Sequence, residues 1–389
     1  MKIIRFLLRF VVALVLTICI ACLGLWASGN AHLIKAVRST YLVGKTGPTI
    51  NDYPKFENRK IETSEAQPWQ ESDNYNFNPP SPAQQEEIDK WETTSFLVIK
   101  NSKLLYEKYA KGYSERSLTN SFSMAKSFTS LAIGAAIKEG KIKSVTQKVG
   151  DFLPEFKEGK KAVVTIEDLL TMSSGIDYGE SYGDPFGYMA KTYYGTNLYD
   201  LTVSKPMKYS PGEVWKYQGG NSLLLSFILK KATGQNLSDY FSQHFWKPIG
   251  ASEEALWSIS EKGGLEKAYC CFYSNARDFA RIGQLVLDSG AWNGKQLISK
   301  EYFSQSFNSK NIKDEKEKVI DYYGYQWWIG NFKGDSFYYA RGIQGQYIVA
   351  IPAWNTVLVR LGHKRDPTKG IKVPSDLIDY LGIVKSMTQ

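Results

Sequence analysis

A serine hydroxyl and a lysine amine lie three residues apart in the stretch Ser121–Phe128 (S-F-S-M-A-K-S-F). Ser123 and Lys126 form an S-x-x-K pattern, which occurs once in the chain. If this stretch is helical, positions i and i+3 share a face, so the amine can accept the hydroxyl proton. A helix start also carries a positive partial charge that stabilises an oxyanion. The pattern fits a nucleophile beside its base, or an ordinary first turn on a surface helix.

A second serine pattern competes with the first. Gly179–Gly183 (G-E-S-Y-G) fits G-x-S-x-G around Ser181. In α/β-hydrolases this nucleophile elbow follows a buried strand and opens a helix. Here T-M-S-S-G-I-D-Y precedes it, D-P-F-G-Y follows it, and Pro185 interrupts the expected helix start. We therefore favour Ser123 over Ser181 as the nucleophile.

The three histidines do not form a metal-binding pattern. His32, His244 and His363 are far apart, and no H-E-x-x-H occurs. The sequence therefore predicts neither a metal site nor a cofactor. His363 follows a predicted strand and His244 lies on a predicted helix, so we interpret both as structural residues rather than general bases.

The cysteines and the charge pattern exclude further classes of protein. Cys19 and Cys22 lie in the apolar N-terminus, and the adjacent Cys270 and Cys271 are interpreted as small buried hydrophobic residues without a disulfide framework. The net charge is +9, but the basic residues are spread along 389 residues with no long basic run. We therefore expect no nucleic-acid partner.

The N-terminus predicts export. Lys2, Arg5 and Arg9 precede the apolar run Phe10–Trp26, and no further charge occurs until Lys35. This length nearly spans a bilayer, which favours a signal anchor over residues 1–29, with a cleaved signal peptide as the alternative. Both a signal anchor and a cleaved signal peptide would place the rest of the chain on the extracytoplasmic side. Residues 30–85 carry several prolines and are predicted to be a polar connector that runs over the surface.

The remaining pattern predicts an α+β protein. Ser95–Lys100 and Leu104–Tyr109 are strand-like, with a hairpin turn at Asn101 and Ser102. A helix begins near Ser123 and ends before Gly140, and further helices are expected near 165–172, 221–234 and 275–289. The last predicted strands are Tyr323–Gly330, Gln346–Ile351 and Thr356–Gly362. We expect the N- and C-terminal strands to pair in one antiparallel sheet beside an all-helical region.

Several ordered stretches after Ser123 carry a resemblance. They are V-T-I-E-D-L-L-T-M-S-S-G at 164–175, P-G-E-V-W-K-Y-Q-G-G-N at 211–221, S-N-A-R-D-F-A-R-I-G at 274–283 and A-R-G-I-Q-G-Q at 340–346. Together they resemble the serine β-lactamase and penicillin-binding-protein superfamily, in its class C-like branch with esterases and 6-aminohexanoate-dimer hydrolases. The resemblance covers about residues 85–365. Lys45-Thr46-Gly47 matches a K-T-G element of these enzymes, but it precedes the nucleophile and is interpreted as a coincidence.

The resemblance implies roles for individual residues. Ser123 would be the acylated nucleophile and Lys126 its partner. Tyr217 matches the family's catalytic tyrosine, which acts as a base when it is a phenolate and as an acid when it is a phenol. The backbone N–H groups of Ser123 and Ile343 would form the oxyanion hole. Tyr182 matches a substrate-contacting tyrosine, with simple packing as the alternative.

The third family element, normally K-T-G or H-x-G, corresponds to Ala340–Gly342. Gly342 would let the strand approach the substrate closely. Arg341 and Gln346 are expected to bind the substrate. Gln218-Gly219 replaces the Ser-Asn that follows the tyrosine in class C β-lactamases, and Ala340 replaces the usual lysine or histidine. Both differences argue against strong β-lactamase activity.

The sequence thus predicts an exported serine hydrolase of β-lactamase/transpeptidase-like fold, with its domain over residues 86–389. It would cleave a small-molecule or short-peptide ester or amide through an acyl-enzyme, without a cofactor. Two alternatives remain open. One is a D-Ala-D-Ala carboxypeptidase or weak β-lactamase at the cell wall, and the other is a non-catalytic member that binds the cell wall or a partner.

Overall fold

A computed structural model describes residues 2–368 and 372–388. The helices are α1 Lys2–Ala27, α2 His32–Ser39, α3 Pro82–Lys90, α4 Met124–Lys138, α5 Ile166–Leu170, α6 Tyr188–Tyr194, α7 Leu198–Val203, α8 Gly219–Thr233, α9 Leu237–Phe241, α10 Ala276–Leu287, α11 Lys300–Ser306 and α12 Ser375–Thr388. The strands are β1 Asn58–Ile61, β2 Thr93–Lys100, β3 Lys103–Tyr109, β4 Thr119–Asn120, β5 Val214–Trp215, β6 Ala255–Ser258, β7 Phe272–Ser274, β8 Ala291–Trp292, β9 Lys295–Gln296, β10 Lys313–Asp314, β11 Trp328–Phe332, β12 Asp335–Gly342, β13 Gln346–Ile351 and β14 Thr356–Gly362.

The main sheet joins two strands from the N-terminal half of the chain to four strands near its C-terminus. Its strand order is β11-β12-β13-β14-β2-β3, and each neighbouring pair is antiparallel. The β2–β3 turn lies at Asn101 and Ser102, both with positive φ, as a two-residue hairpin turn requires. The predicted pairing of N- and C-terminal strands and the α+β class are therefore confirmed.

Helices cover both faces of this sheet. On one face, α10 lies against β13, β14 and β2, and the central helix α4 contacts α8 and α9. α4 is buried on every side from Met124 to Ala136, and the few polar side chains in this stretch, Lys126 among them, are buried with it. On the other face, α12 and α3 cover a second apolar cluster that includes Phe96, Tyr347 and Tyr380. The predicted helices near 165–172, 221–234 and 275–289 are confirmed as α5, α8 and α10.

One predicted strand begins later than expected, and the strand β12 went unpredicted. Residues 323–327 form a turn instead, because the Gly324 N–H donates to the Trp327 carbonyl and Gln326 has φ +60°. A side chain at Gly324 would meet the Ser306 carbonyl oxygen at 2.1 Å, so this turn requires glycine. The strand therefore starts at Trp328, and the chain returns as β12.

The segment 30–85 is folded onto the domain, contrary to the predicted surface tether. Strand β1 pairs with β6 at the edge of a second sheet, of order β1-β6-β7-β4. Ile50 and Ile61 are fully buried, and α2 contacts α6. The earlier apolar run forms α1, a helix of 26 residues that has no buried residue and contains an 18-residue stretch of mean hydropathy 2.8. Its length of about 39 Å exceeds the roughly 30 Å of a bilayer core.

Candidate active site

The residue before Ser123 has an unusual backbone. Phe122 has φ +44°, a left-handed conformation that costs a bulky residue roughly 1–3 kcal/mol. Its ring is buried, and its N–H donates to the Asn120 side-chain oxygen at 2.8 Å. This turn ends strand β4 and places Ser123 at the N-cap position of α4. The Ser123 hydroxyl therefore lies at the positive end of a buried helix.

Lys126 lies one turn along the same face of α4. Its Nζ donates to the Ser123 hydroxyl oxygen at 3.0 Å and to the Tyr269 carbonyl oxygen at 3.0 Å. Lys126 is 2% exposed, so the amine has little access to bulk water. The Tyr269 carbonyl, from the loop before β7, fixes the amine beside the hydroxyl. This contact distinguishes the pair from an ordinary surface serine and lysine.

Tyr217 reaches Lys126 from the other side. It lies between β5 and α8, and the Lys126 Nζ is 4.9 Å from the centre of its ring. The ring also packs on Trp328 and Tyr323, at 5.4 and 5.9 Å between ring centres. Within the described residues its hydroxyl has no hydrogen bond to Ser123 or Lys126. Such bonds commonly tighten only when substrate binds.

Two backbone N–H groups face the pocket near the nucleophile. Ser123 and Ile343 both line it, and no hydrogen bond among residues 2–368 and 372–388 uses the N–H of either residue. A Cβ at Gly342 would lie 2.3 Å from the Ser121 carbonyl oxygen. Glycine at 342 thus allows the end of β12 to approach the turn that carries Ser123. The two N–H groups can therefore converge on one oxyanion.

Buried side chains hold the turn after Ile343. The Gln346 amide is fully buried and donates to the carbonyl oxygens of Ile343 and Gly362, at 3.2 and 2.7 Å. The buried Arg360 donates to the carbonyl oxygens of Gln344 and Gly345, at 3.1 and 2.8 Å. Gln346, expected to bind the substrate, lies behind the pocket wall and positions the Ile343 loop instead.

The other predicted binding residues differ in location. Tyr182 lines the pocket with 67% of its surface exposed. Arg341 stacks its guanidinium on Trp328, 3.9 Å from the ring centre, and does not line the pocket. Trp328 also contacts Tyr217, so Arg341 packs behind the ring against which Tyr217 lies.

Glu180 is a polar residue of the site that was not singled out from the sequence. Its carboxylate accepts a hydrogen bond from the Gly220 N–H at 2.9 Å, at the start of α8. Burial raises the pKa of the Glu180 carboxyl, while the amides at the helix start and the Lys126 charge act in the opposite direction. Glu180 thus links the Tyr182 loop to the segment that carries Tyr217. Its place beside Tyr182 in G-E-S-Y-G was the available signal.

The rival motifs lack the geometry that their chemistry requires. Ser181 lies in an exposed loop with no strand before it and no helix directly after it. His363 contacts the Tyr113 hydroxyl at 3.3 Å, and His244 pairs with Glu139 at 3.3 Å. Neither histidine lines the pocket. Among the described residues, no group of three His, Cys, Asp or Glu side chains could hold a metal ion.

The adjacent cysteines correct a sequence prediction. Cys270 and Cys271 are buried as expected, but they are bonded to each other in a vicinal disulfide. Cys271 has φ +66°, and Cys270 lines the pocket next to Tyr269, whose carbonyl accepts from Lys126. The disulfide belongs to the loop that orients the lysine.

The pocket above Ser123 has a volume of about 530 Å³. One side consists of α6 and the loop before it, with Tyr182, Met189 and Tyr193. The opposite side is formed by residues 33–48, with Leu33, Ala36 and Tyr41, and Thr46 and Gly47 of the K-T-G stretch. We call residues 33–48 the N-terminal wall. It was not predicted from the sequence, because nothing local in this polar segment indicates which distant residues it contacts.

Comparisons with known proteins agree with this architecture. A family model described as Beta-lactamase matches residues 85–380. The 6-aminohexanoate-dimer hydrolase of Paenarthrobacter ureafaciens is 25% identical over 304 residues, which cover 74% of this chain and 76% of that protein. A Bacillus anthracis protein assigned as a 6-aminohexanoate-dimer hydrolase shares the fold, with TM-score 0.70, 23% identity, and coverage of 85% of this chain and 89% of that chain. A family VIII carboxylesterase also shares it, with TM-score 0.62, 16% identity, and coverage of 80% and 99%.

Proposed function

Because the chain belongs to the beta-lactamase family, we propose that it is a serine hydrolase that cleaves an ester or amide through an acyl-enzyme on Ser123. The observation that carries this proposal is the 3.0 Å hydrogen bond between the Lys126 amine and the Ser123 hydroxyl, in a buried setting. Relatives named as a hydrolase of an amide dimer and as a carboxylesterase support the same reaction class.

The reaction has two steps. In the first, the Ser123 oxygen attacks the substrate carbonyl, and its proton passes to Lys126. The N–H groups of Ser123 and Ile343 stabilise the oxyanion. Tyr217 then delivers a proton to the leaving alcohol or amine as the carbonyl–heteroatom bond breaks. In the second step, water attacks the acyl-enzyme and gives one proton to the Tyr217 oxygen, and Lys126 returns its proton to the Ser123 oxygen as the acyl–oxygen bond breaks and the acid is released.

The site works at the outer surface of a membrane in this proposal. α1 is long and apolar enough to be a single span or a signal sequence, and its basic residues precede the apolar part. Arg341, the cation that would have favoured a carboxypeptidase, stacks on Trp328 and does not line the pocket. No specific contact therefore favours the cell-wall carboxypeptidase or β-lactamase alternative.

Covalent labelling tests the nucleophile. Full-length protein in detergent is treated with a small dialkyl fluorophosphonate, and the adduct is located by mass spectrometry. We expect one adduct on Ser123, which Ser123→Ala abolishes and Ser181→Ala leaves intact. An adduct on Ser181 would overturn the assignment of the nucleophile. No adduct at either serine would favour the non-catalytic binding member.

A further inference from the structure

The N-terminal wall begins next to the apolar helix. The Ser28 and Asn30 N–H groups donate to the Gly24 and Leu25 carbonyl oxygens, so the chain turns directly from α1 into α2. Leu33, the first pocket-lining residue, is six residues after the end of α1. Six extended residues span at most about 20 Å. If α1 spans the bilayer, the pocket lies close to its surface.

Exposed apolar side chains surround the mouth of this pocket. Tyr41, Leu42 and Val43 are 67%, 73% and 51% exposed, and they lie in the N-terminal wall. Across the mouth, Tyr182 and Phe186 are 67% and 54% exposed. Large apolar groups this exposed are unfavourable in water, whereas aromatic and aliphatic groups are favoured at the interface of a bilayer. The rim of the pocket therefore suits contact with lipid.

The charge of residues 28–51 also favours contact with a lipid surface. The first acidic residue of the chain is Asp52, so residues 28–51 carry only basic charge, including the exposed Arg38 and Lys45. Basic groups beside a membrane-spanning segment are attracted to anionic lipid headgroups. Arg38, Lys45 and the exposed Tyr41–Val43 stretch all lie within 18 residues of the end of α1.

The pocket interior is also largely apolar. Leu33 and Ala36 of α2 face Met189 and Ala190 of α6, and Phe122 and Ile343 lie beside Ser123. The His32 ring contacts the Pro185 carbonyl oxygen at 2.9 Å, which joins α2 to the opposite side. An apolar chain held in this pocket would lie against α2 and α6, with its carbonyl at Ser123.

We propose that the substrate is an amphiphile, a long-chain acyl ester or amide that enters the pocket from the membrane surface. Its acyl chain lies in the pocket that α2 and α6 line, and its headgroup is the leaving alcohol or amine. Hydrolysis consumes one water and releases the fatty acid and the headgroup. This inference rests on the proposed hydrolase activity at Ser123 and on α1 remaining attached.

Matched substrates separate the inference from the proposed function. Full-length protein is placed in vesicles of phosphatidylcholine and phosphatidylglycerol, and the release of methylumbelliferone is measured from its acetate and from its palmitate. We expect kcat/KM for palmitate to exceed that for acetate by at least tenfold. Leu42→Ser with Val43→Ser should lower palmitate turnover at least fivefold and leave acetate turnover within twofold. Phe77→Ser, which removes a 77% exposed ring outside the pocket lining, should change neither rate.

A second variant probes the interior. Ala36→Trp should shift the preferred acyl length from palmitate toward chains of four to eight carbons, because Ala36 lines the pocket and the added ring fills part of it. Cleavage of acetate with no preference for palmitate would overturn the lipid substrate and leave the hydrolase proposal standing. A Ser123 adduct without cleavage of either ester would also overturn the acyl-ester substrate. Absence of both the adduct and ester cleavage would overturn the hydrolase proposal itself.

Discussion

The two sides of the pocket differ in how they are built. The catalytic floor (Phe122, Ser123, Lys126, Tyr269 and Ile343) lies within the residues that match the family model. It is held by hydrogen bonds from buried side chains of α4 and β13, the first of which reaches the loop before β7. The N-terminal wall precedes the matched residues and is joined to them by few polar contacts. In our proposal the chemistry belongs to residues that match the family model, whereas access and selectivity involve the wall that precedes them.

The largest effect is expected from Lys126 on the floor. Lys126→Met should lower kcat/KM for a short ester by at least about 10³-fold, because the nucleophile loses its base and a buried hydrogen-bond partner. Steady-state rates of ester hydrolysis over a range of substrate concentrations measure this kcat/KM. Lys138→Met, at the exposed end of the same helix, is the matched control and should stay within twofold. Substantial activity of the Lys126 variant would mean that Tyr217 alone activates Ser123.

A substitution at Gly342 tests how closely the end of β12 must approach the turn that carries Ser123. Gly342→Ala should reduce kcat by about 10²-fold, since its Cβ would lie 2.3 Å from the Ser121 carbonyl oxygen and would displace the Ile343 N–H. The unfolding midpoint should also fall. Gly382→Ala in α12, where a Cβ meets nothing within 4 Å, should keep full activity. Unchanged kcat in the Gly342 variant would exclude Ile343 from the oxyanion hole.

The pH dependence of stability tests how Glu180 joins the Tyr182 loop to the segment that carries Tyr217. Its raised pKa means that folding favours the protonated carboxyl, so its contribution to stability is present at low pH and is lost as pH rises above 4.5. Glu180→Gln should therefore unfold at a higher temperature than the parent at pH 8 and show a flatter pH dependence. We expect kcat to fall severalfold, because the Tyr217 segment is held less firmly. Glu261→Gln, on an exposed turn, should change neither quantity. Identical melting curves for parent and Glu180→Gln would contradict the assigned burial of the carboxyl.

A contact between floor and wall should affect binding alone. The Gln344 side chain donates to the Pro48 carbonyl oxygen at 2.8 Å. Gln344→Ala should raise KM two- to fivefold and leave kcat unchanged, since the backbone of the Ile343 loop is still held by Gln346 and Arg360. Initial rates over a substrate series measure both constants. A fall in kcat as large as the rise in KM would show that this contact affects the catalytic step as well as binding.

The smallest effect is expected at the surface. Glu315 binds Lys216, Lys208 and Tyr209, and these contacts lower the pKa of its carboxyl to about 2. The contribution of the ionised Glu315 to folding stability is present above the ordinary carboxyl pKa of 4.5 and is lost as pH falls toward 2. Because the group is exposed, Glu315→Gln should raise the midpoint of acid unfolding by only a few tenths of a pH unit. Neutral-pH activity should not change. A shift that persists in 1 M salt would mean that the contribution is not an exposed ion pair.

Local signals accounted for much of the framework. The Asn101-Ser102 turn, the α4 start and the strands Gln346–Ile351 and Thr356–Gly362 were predictable, because turn chemistry and periodicity act over a few residues. The pairing of Ser123 with Lys126 followed from helical spacing. The roles of Gln346 and the Cys270–Cys271 bond were not predictable, since each depends on neighbours distant in sequence or on a covalent state.

The N-terminal wall has an evolutionary consequence. Because residues 33–48 precede the family domain, a new anchor segment can be recombined onto the same catalytic gene without altering Ser123, Lys126 or the oxyanion loop. Such an exchange would change both the membrane in which the enzyme is anchored and its substrate preference in a single event. Homologous enzymes with different anchors are therefore expected to diverge first in specificity and only later in mechanism.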